Sequence, residues 1–271
     1  MCIRDSRPTA RRSLLNWTRY AILLRTDRYF RLAWLGALLL AGHALPAAAQ
    51  YAAGPTITLE AASDERRRGL SWSEGDPVLR GSVSVPIAPG LSLDGAATTL
   101  WGSDRHGGAD SAVDLGGTYA RQLGGFRLTA EGRYHLFPGA SDRGAGWSYG
   151  EVGAIAGFSL GPASVDLGAR YAPRQSGIGG DNLYLSSSAA IGIPGTPLTL
   201  SGHVGRSSGD ARDPVRAARL RPTGDYWDHG VALDWYRGRW SAGLRYADTD
   251  IDTSDSAHAG ASLIARVGVT L

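Results

Sequence analysis

From Thr56 onward the chain alternates apolar and polar residues in segments of roughly ten, and no window sustains a 3.6-residue period. The last segment is the cleanest. Ala261, Leu263, Ala265, Val267, Val269 and Leu271 fall on one face, and Ser262, Arg266, Gly268 and Thr270 on the other, with Ile264 breaking the alternation. Trp240, Ala242, Leu244 and Tyr246 oppose Arg239, Ser241, Gly243 and Arg245 in the same way. Phe126, Leu128, Ala130, Tyr134 and Leu136 likewise oppose Arg127, Thr129, Glu131, Arg133 and His135. Each segment reads as a strand with one apolar and one charged face. Twelve such strands are predicted, near 56–63, 76–87, 91–101, 112–121, 125–137, 148–160, 163–172, 182–193, 196–205, 226–236, 239–248 and 260–271.

The connections alternate in kind. Ala88-Pro89-Gly90, Leu123-Gly124, Gly161-Pro162, Pro194-Gly195 and Arg237-Gly238 are tight turns, and the intervening connections are long and polar. An even number of strands with short turns at one end and long loops at the other predicts an all-β transmembrane antiparallel up-and-down barrel of the bacterial outer membrane. The aromatic residues agree. On the apolar parity, Trp101, Tyr134, Tyr171, Trp227 and Tyr246 lie toward the long loops, and Tyr119, Phe126, Phe158, Trp235 and Trp240 toward the short turns. Two such girdles are what a barrel in lipid carries on its outer face.

Composition removes competing classes. Gly accounts for 38 of 271 residues, about twice the usual share, but aromatic and β-branched residues are spread evenly, which excludes collagen and disorder. The longest apolar run, Leu32 to Gly42, is too short to cross a bilayer as a helix. It follows Arg28 and Arg31 and precedes Pro46 and Ala47-Ala48-Ala49, so residues 1–49 read as a leader cleaved after Ala49, and 50–271 as a single barrel. Residues 1–27 exceed what such a leader needs and read as upstream translation. The one cysteine, Cys2, leaves with the leader, so no disulfide is expected in the exported chain. The leader also holds eight of the 28 basic residues, leaving twenty arginines against twenty-three acids from Gln50 onward. That acidic balance argues against a nucleic-acid partner.

The first long connection reads Asp64-Glu65-Arg66-Arg67-Arg68-Gly69-Leu70-Ser71-Trp72-Ser73-Glu74-Gly75-Asp76-Pro77. It resembles the N-terminal signature of the TorF family of porins, an Arg-Gly-Ile-Ser-like turn followed by Gly-Asp-Pro and a strand of small residues. Tyr134-His135-Leu136-Phe137-Pro138-Gly139, Asp181-Asn182-Leu183-Tyr184-Leu185, Asp225-Tyr226-Trp227-Asp228 and Tyr246-Ala247-Asp248-Thr249-Asp250 extend the resemblance over nearly all of the mature chain. It implies pore activity in the outer membrane, with lipid, lipopolysaccharide and the barrel-assembly machinery as partners and small solutes as cargo. One departure is the final residue, Leu271, where such barrels commonly carry an aromatic.

With the apolar parity facing lipid, the expected pore lining comprises Arg80, Asp94, Asp114, Arg127, Glu131, Arg133, Glu151, Asp166, Arg170, Asp228, Asp234, Arg239, Arg245 and Arg266. Twelve strands about 4.8 Å apart and tilted about 40° enclose a radius of roughly 12 Å, too wide for small inward residues to fill. A water-filled, mixed-charge conduit is expected; the alternative is a salt-bridged plug that makes a structural or binding barrel without an open pore. In the fifth long connection, Asp213-Pro214 predicts one or two helical turns, and its arginines are candidates either to constrict the pore or to bind lipopolysaccharide phosphates.

No catalytic, metal or cofactor site is expected. Gly205-Arg206-Ser207-Ser208-Gly209 matches a nucleophile-elbow pattern but opens a loop after a barrel strand instead of a strand-to-helix turn. His135 and His203 share the inward parity, and no acidic or amide partner is recognisable for either, which weakens a barrel hydrolase. The acidic run Asp248, Asp250, Asp252 and Asp255 lacks the glycine and terminal glutamate of an EF-hand.

Overall fold

The computed structural model describes residues 54–271, apart from 142–145, 255 and 257. The predicted leader and its cleavage point lie outside the described residues. Twelve strands form a closed barrel: β1 (Thr56–Ala62), β4 (Val78–Ala88), β5 (Leu91–Ser103), β6 (Ala109–Leu123), β7 (Phe126–Leu136), β8 (Tyr149–Leu160), β9 (Ala163–Gln175), β10 (Gly180–Gly192), β11 (Leu198–Ser208), β12 (Tyr226–Arg237), β13 (Trp240–Thr249) and β14 (Ser262–Thr270). The two remaining strands, β2 (Arg66–Arg67) and β3 (Leu70–Ser71), pair only with each other. Each barrel strand pairs antiparallel with its sequence neighbour, and β1 closes on β14 through Thr58↔Thr270 to Ala62↔Arg266. Closure leaves no strand edge, so backbone groups of the strands need no water to satisfy them in lipid.

The tight turns hold their glycines in the left-handed region, Gly124 at φ 62° and Gly238 at φ 60° among them. At the opposite end the strands run further than the sequence pattern predicts. β5 and β6 are joined by a 3-10 turn at Asp104–His106, and β9 and β10 by another at Ser176–Ile178, where long loops were expected. The reason lies in the side chains. Leu100, Ala112 and Ala172 are buried in an apolar cluster with loop residues such as Trp72 and Leu220, so apolar residues appear on the parity that elsewhere is polar.

Over the rest of the wall the predicted parity holds. Leu59, Leu79, Leu93, Leu115, Leu128, Val152, Leu167, Leu185, Leu233, Leu244 and Val267 are exposed, an apolar belt that only lipid can cover without penalty. The predicted girdle aromatics are exposed on the same face, except Trp235, which is half-buried. Ile264, the residue that breaks the alternation, is buried on the inward side. A closed barrel, apolar outside and charged inside, is the architecture of an outer-membrane protein. Leu244→Arg, in register with Leu233 and Ala265, should therefore cost roughly 2–4 kcal/mol near the bilayer midplane. Ser188→Arg, inward and opposite Asp166, should cost far less. Urea midpoints of the two variants in lipid vesicles test this, and equal losses would overturn the assignment of faces.

Candidate functional site

The first long connection does not project from the barrel; it folds across the lumen as the hairpin β2–β3. Asp64 ties the segment together, its carboxylate accepting from Arg66 Nε (2.7 Å), Ser71 Oγ (2.5 Å) and Ser73 Oγ (3.0 Å). Arg67 reaches one wall. Its guanidinium meets both oxygens of Asp114 on β6, at 3.1 and 2.9 Å, while Nε donates to Glu65 (2.8 Å) and the group lies 4.0 Å over the ring of Trp72. Arg68 donates to Glu151 of β8 (2.5 Å) and lies 4.7 Å over the Tyr184 ring. The opposite wall holds the tip: Tyr226 of β12 donates its hydroxyl to the Arg68 carbonyl (2.8 Å). At the tip Gly69, at φ 75°, sits so near Asp228 and Thr249 that a Cβ would overlap both. Burial by itself would lower the pKa of Arg67 and Arg68, but Glu65 and Asp114 outweigh it at Arg67 and Glu151 outweighs it at Arg68, so both are raised. Both guanidiniums stay charged.

Beside the hairpin an apolar plug closes part of the mouth. Trp72 packs against His106 (ring centroids 4.4 Å apart) and Phe137 (5.5 Å), in a cluster with Leu100, Tyr149, Ile178 and Leu220. Leu220 comes from the fifth long connection, which turns inward after a single helical turn, α1 (Pro214–Ala217). The predicted cap is present: Asp213 accepts from the backbone of Val215 (3.1 Å) and Arg216 (3.2 Å). Arg219 is buried, donating to Gly177 O (2.6 Å) and His106 Nδ1 (2.9 Å). Burial first, then Arg219, Arg105, Arg67 and His135, hold the His106 imidazole well below its ordinary pKa. An undocked His106 binds a proton near pH 6.5 and the docked one only at lower pH, so acidification through that window weakens the docked state. Backbone hydrogen exchange across 213–221, corrected for intrinsic rates, is expected to speed up between pH 7.5 and 5, and in His106→Asn to lose that dependence.

Below the hairpin lie two cavities of about 390 and 320 Å³, which share Arg80 and Arg133 as lining residues. The expected pore-lining residues fall into distinct groups around them. Asp114 also accepts from His135 Nδ1 (2.6 Å) and lies 3.8 Å from Arg80. Glu151 lies 3.5 Å from His135 Nε2. Glu131 serves both Arg133, at 3.6 Å, and Arg170, whose Nε donates to it. Arg266 is held between Asp234 (2.7 Å) and Glu60 (3.6 Å). Asp94 accepts from Ser84 (2.6 Å) and Thr118 (2.8 Å). Asp228 is buried, accepting from Tyr184 (3.1 Å) and lying 3.3 Å from His203 Nε2. Among the described residues, Arg245, Arg127, Arg239, Asp94 and Asp166 have no ion-pair partner within 4 Å. Arg245 lines the larger cavity, Arg127 is exposed beside the short turns, and Arg239 sits in the exposed turn before β13, 5.9 Å from the Trp240 ring.

The expectation that His135 and His203 lack acidic partners is corrected: both have one, and His135 has two. These partners are carboxylates, not serine hydroxyls, so the contacts brace the wall and do not build a nucleophile–base pair. Asp255 of the acidic run lies outside the described residues.

A family model described as a bacterial protein of unknown function, Gcw_chp, matches residues 47–268. The chain belongs to that family. No curated protein matches the sequence. Among solved structures, a NanC porin superposes with a TM-score of 0.54 at 11% identity, over 79% of this chain and 98% of that one. A KdgM porin superposes with a TM-score of 0.50 at 12% identity, over 79% of this chain and 97% of that one. The KdgM porin has also been solved in complex with disordered oligogalacturonate. At such low identity the likeness establishes a shared fold, the porin barrel.

Proposed function

We propose that this protein is an outer-membrane channel for the passive diffusion of small polar or charged solutes, which pass a charged wall beneath an inserted hairpin. The observation that carries this reading is the pair of cavities that share Arg80 and Arg133 as lining residues, inside a closed barrel with an apolar outer belt. The segment that carries the TorF resemblance, Arg68-Gly69-Leu70-Ser71, forms the tip and second strand of the hairpin, and the sequence of that segment is what supports placing the chain with those porins. Export by the leader 1–49, insertion by the barrel-assembly machinery, and contact of the rim arginines Arg206, Arg212 and Arg216 with lipopolysaccharide follow from the same reading. The wall chemistry supports transport and not catalysis.

A second reading is favoured by the apolar cluster around Trp72: a barrel closed at rest, with a structural or binding role. Single-channel recording of the refolded protein in a planar bilayer separates the two. Discrete conductance steps are expected of the wild-type channel, and a silent but heat-modifiable barrel would favour the closed form.

A further inference from the structure

The charge left over after the hairpin docks is not balanced. Asp114 and Glu151, the two wall acids that the hairpin arginines reach, are taken up by Arg67 and Arg68 and by His135 between them. The larger cavity is then faced by four wall guanidiniums, of which Arg80 is held by Glu65 (3.5 Å), while the lining acid Glu60 lies 3.6 Å from Arg266. Arg133 and Arg170 share one carboxylate, Glu131, and Arg245 has none among the described residues. Arg245 comes from β13, and the β7 and β9 strands that carry Arg133 and Arg170 lie on the opposite side of the barrel, so the cations face one another across the lumen. Gly153, on the intervening β8, makes room for the Glu131–Arg170 contact, since a Cβ there would lie 2.9 Å from Glu131 Oε1 and 3.0 Å from Arg170 Cγ. A space of about 390 Å³ in which arginines outnumber carboxylates fits a small ligand and raises the local concentration of anions. The guanidinium fork matches a planar carboxylate at two points.

We propose that this cavity binds small organic anions bearing carboxylates, through Arg133, Arg170 and Arg245, and that the docked hairpin creates this preference by neutralising Asp114 and Glu151. The proposal rests on the channel reading and deepens it. It has a consequence of definite sign. With the hairpin seated, the lumen favours anions. With Arg67 and Arg68 removed, Asp114 and Glu151 join Glu131, and the preference moves toward cations.

The test uses the full refolded barrel with citrate and inorganic phosphate as probes. In a KCl gradient the wild-type reversal potential is expected on the chloride side, and citrate is expected to reduce the KCl current. Arg245→Ser should weaken citrate block tenfold or more, and Arg245→Lys, which keeps the charge but not the two-point contact, should recover part of it. Arg67→Gln with Arg68→Gln should move the reversal potential toward potassium. A conducting wild type that prefers potassium, or ignores citrate, would overturn the site while leaving the channel intact. Phosphate blocking as tightly as citrate would overturn the carboxylate preference. Should the barrel not conduct, the channel reading fails, and calorimetric titration of citrate decides the site: equal affinity in wild type and Arg245→Ser would overturn it.

Discussion

Gly69→Val is expected to raise conductance by about threefold or more, because the hairpin can no longer cross the lumen. The residue is left-handed at φ 75°, which a β-branched side chain resists, and its Cβ would have to occupy space held by Thr249 and by Asp228. Displacing the tip also removes the Tyr226 hydrogen bond and withdraws Arg68 from Glu151. None of the strand pairs that close the barrel involves this segment, so the heat-modifiable gel shift should persist. An intact barrel with unchanged conductance would show that the hairpin does not obstruct the path.

Asp114→Ala should produce the largest loss of stability. This carboxylate accepts from His135 and binds Arg67 at two points, with Arg80 at 3.8 Å, and removal leaves these buried donors facing one another. Truncating one partner of a buried pair costs about 3–5 kcal/mol. Asp166→Ala, at an inward aspartate without an ion pair among the described residues, should stay within about 1 kcal/mol. Urea midpoints of both variants in the same vesicles give the comparison, and equal midpoints would show that the Asp114 network contributes nothing.

How much of this was legible in the chain depends on what fixes each contact. Strand number, parity and short turns follow from local alternation and glycine placement, and these match. The Asp114–His135 contact was also accessible: a two-residue Gly124-Gly125 turn with Leu123 opposite Phe126 sets a register that places Asp114 opposite His135. Counting outward from that turn would have replaced the reading of an unpartnered histidine. His203–Asp228 was not accessible, because β11 and β12 are joined through the fifth long connection and register there depends on tertiary docking. The hairpin is harder still. Two residues per strand are too few to show a period, and the run Arg66-Arg67-Arg68 reads as a solvated loop until its acids appear from β6 and β8. Leu100 misled in the opposite sense: an apolar residue on the inward parity lies just before the predicted end of its strand at 101, although β5 continues to Ser103 and buries it in the cluster with Trp72.

The hairpin follows β1 in the sequence, but its docking surface is assembled from later parts of the chain. The Arg68–Glu151 contact spans 83 residues, Tyr226–Arg68 spans 158, and Arg66–Gly260 spans 194. Such distant partners meet only after the intervening strands have paired, and pairings of this range are slow to form. The segment synthesised among the first must therefore wait until β8, β12 and the connection before β14 are in place. A newly inserted barrel passes through a stage in which its bore is unobstructed, and its permeability in the first moments of life exceeds that of the mature molecule.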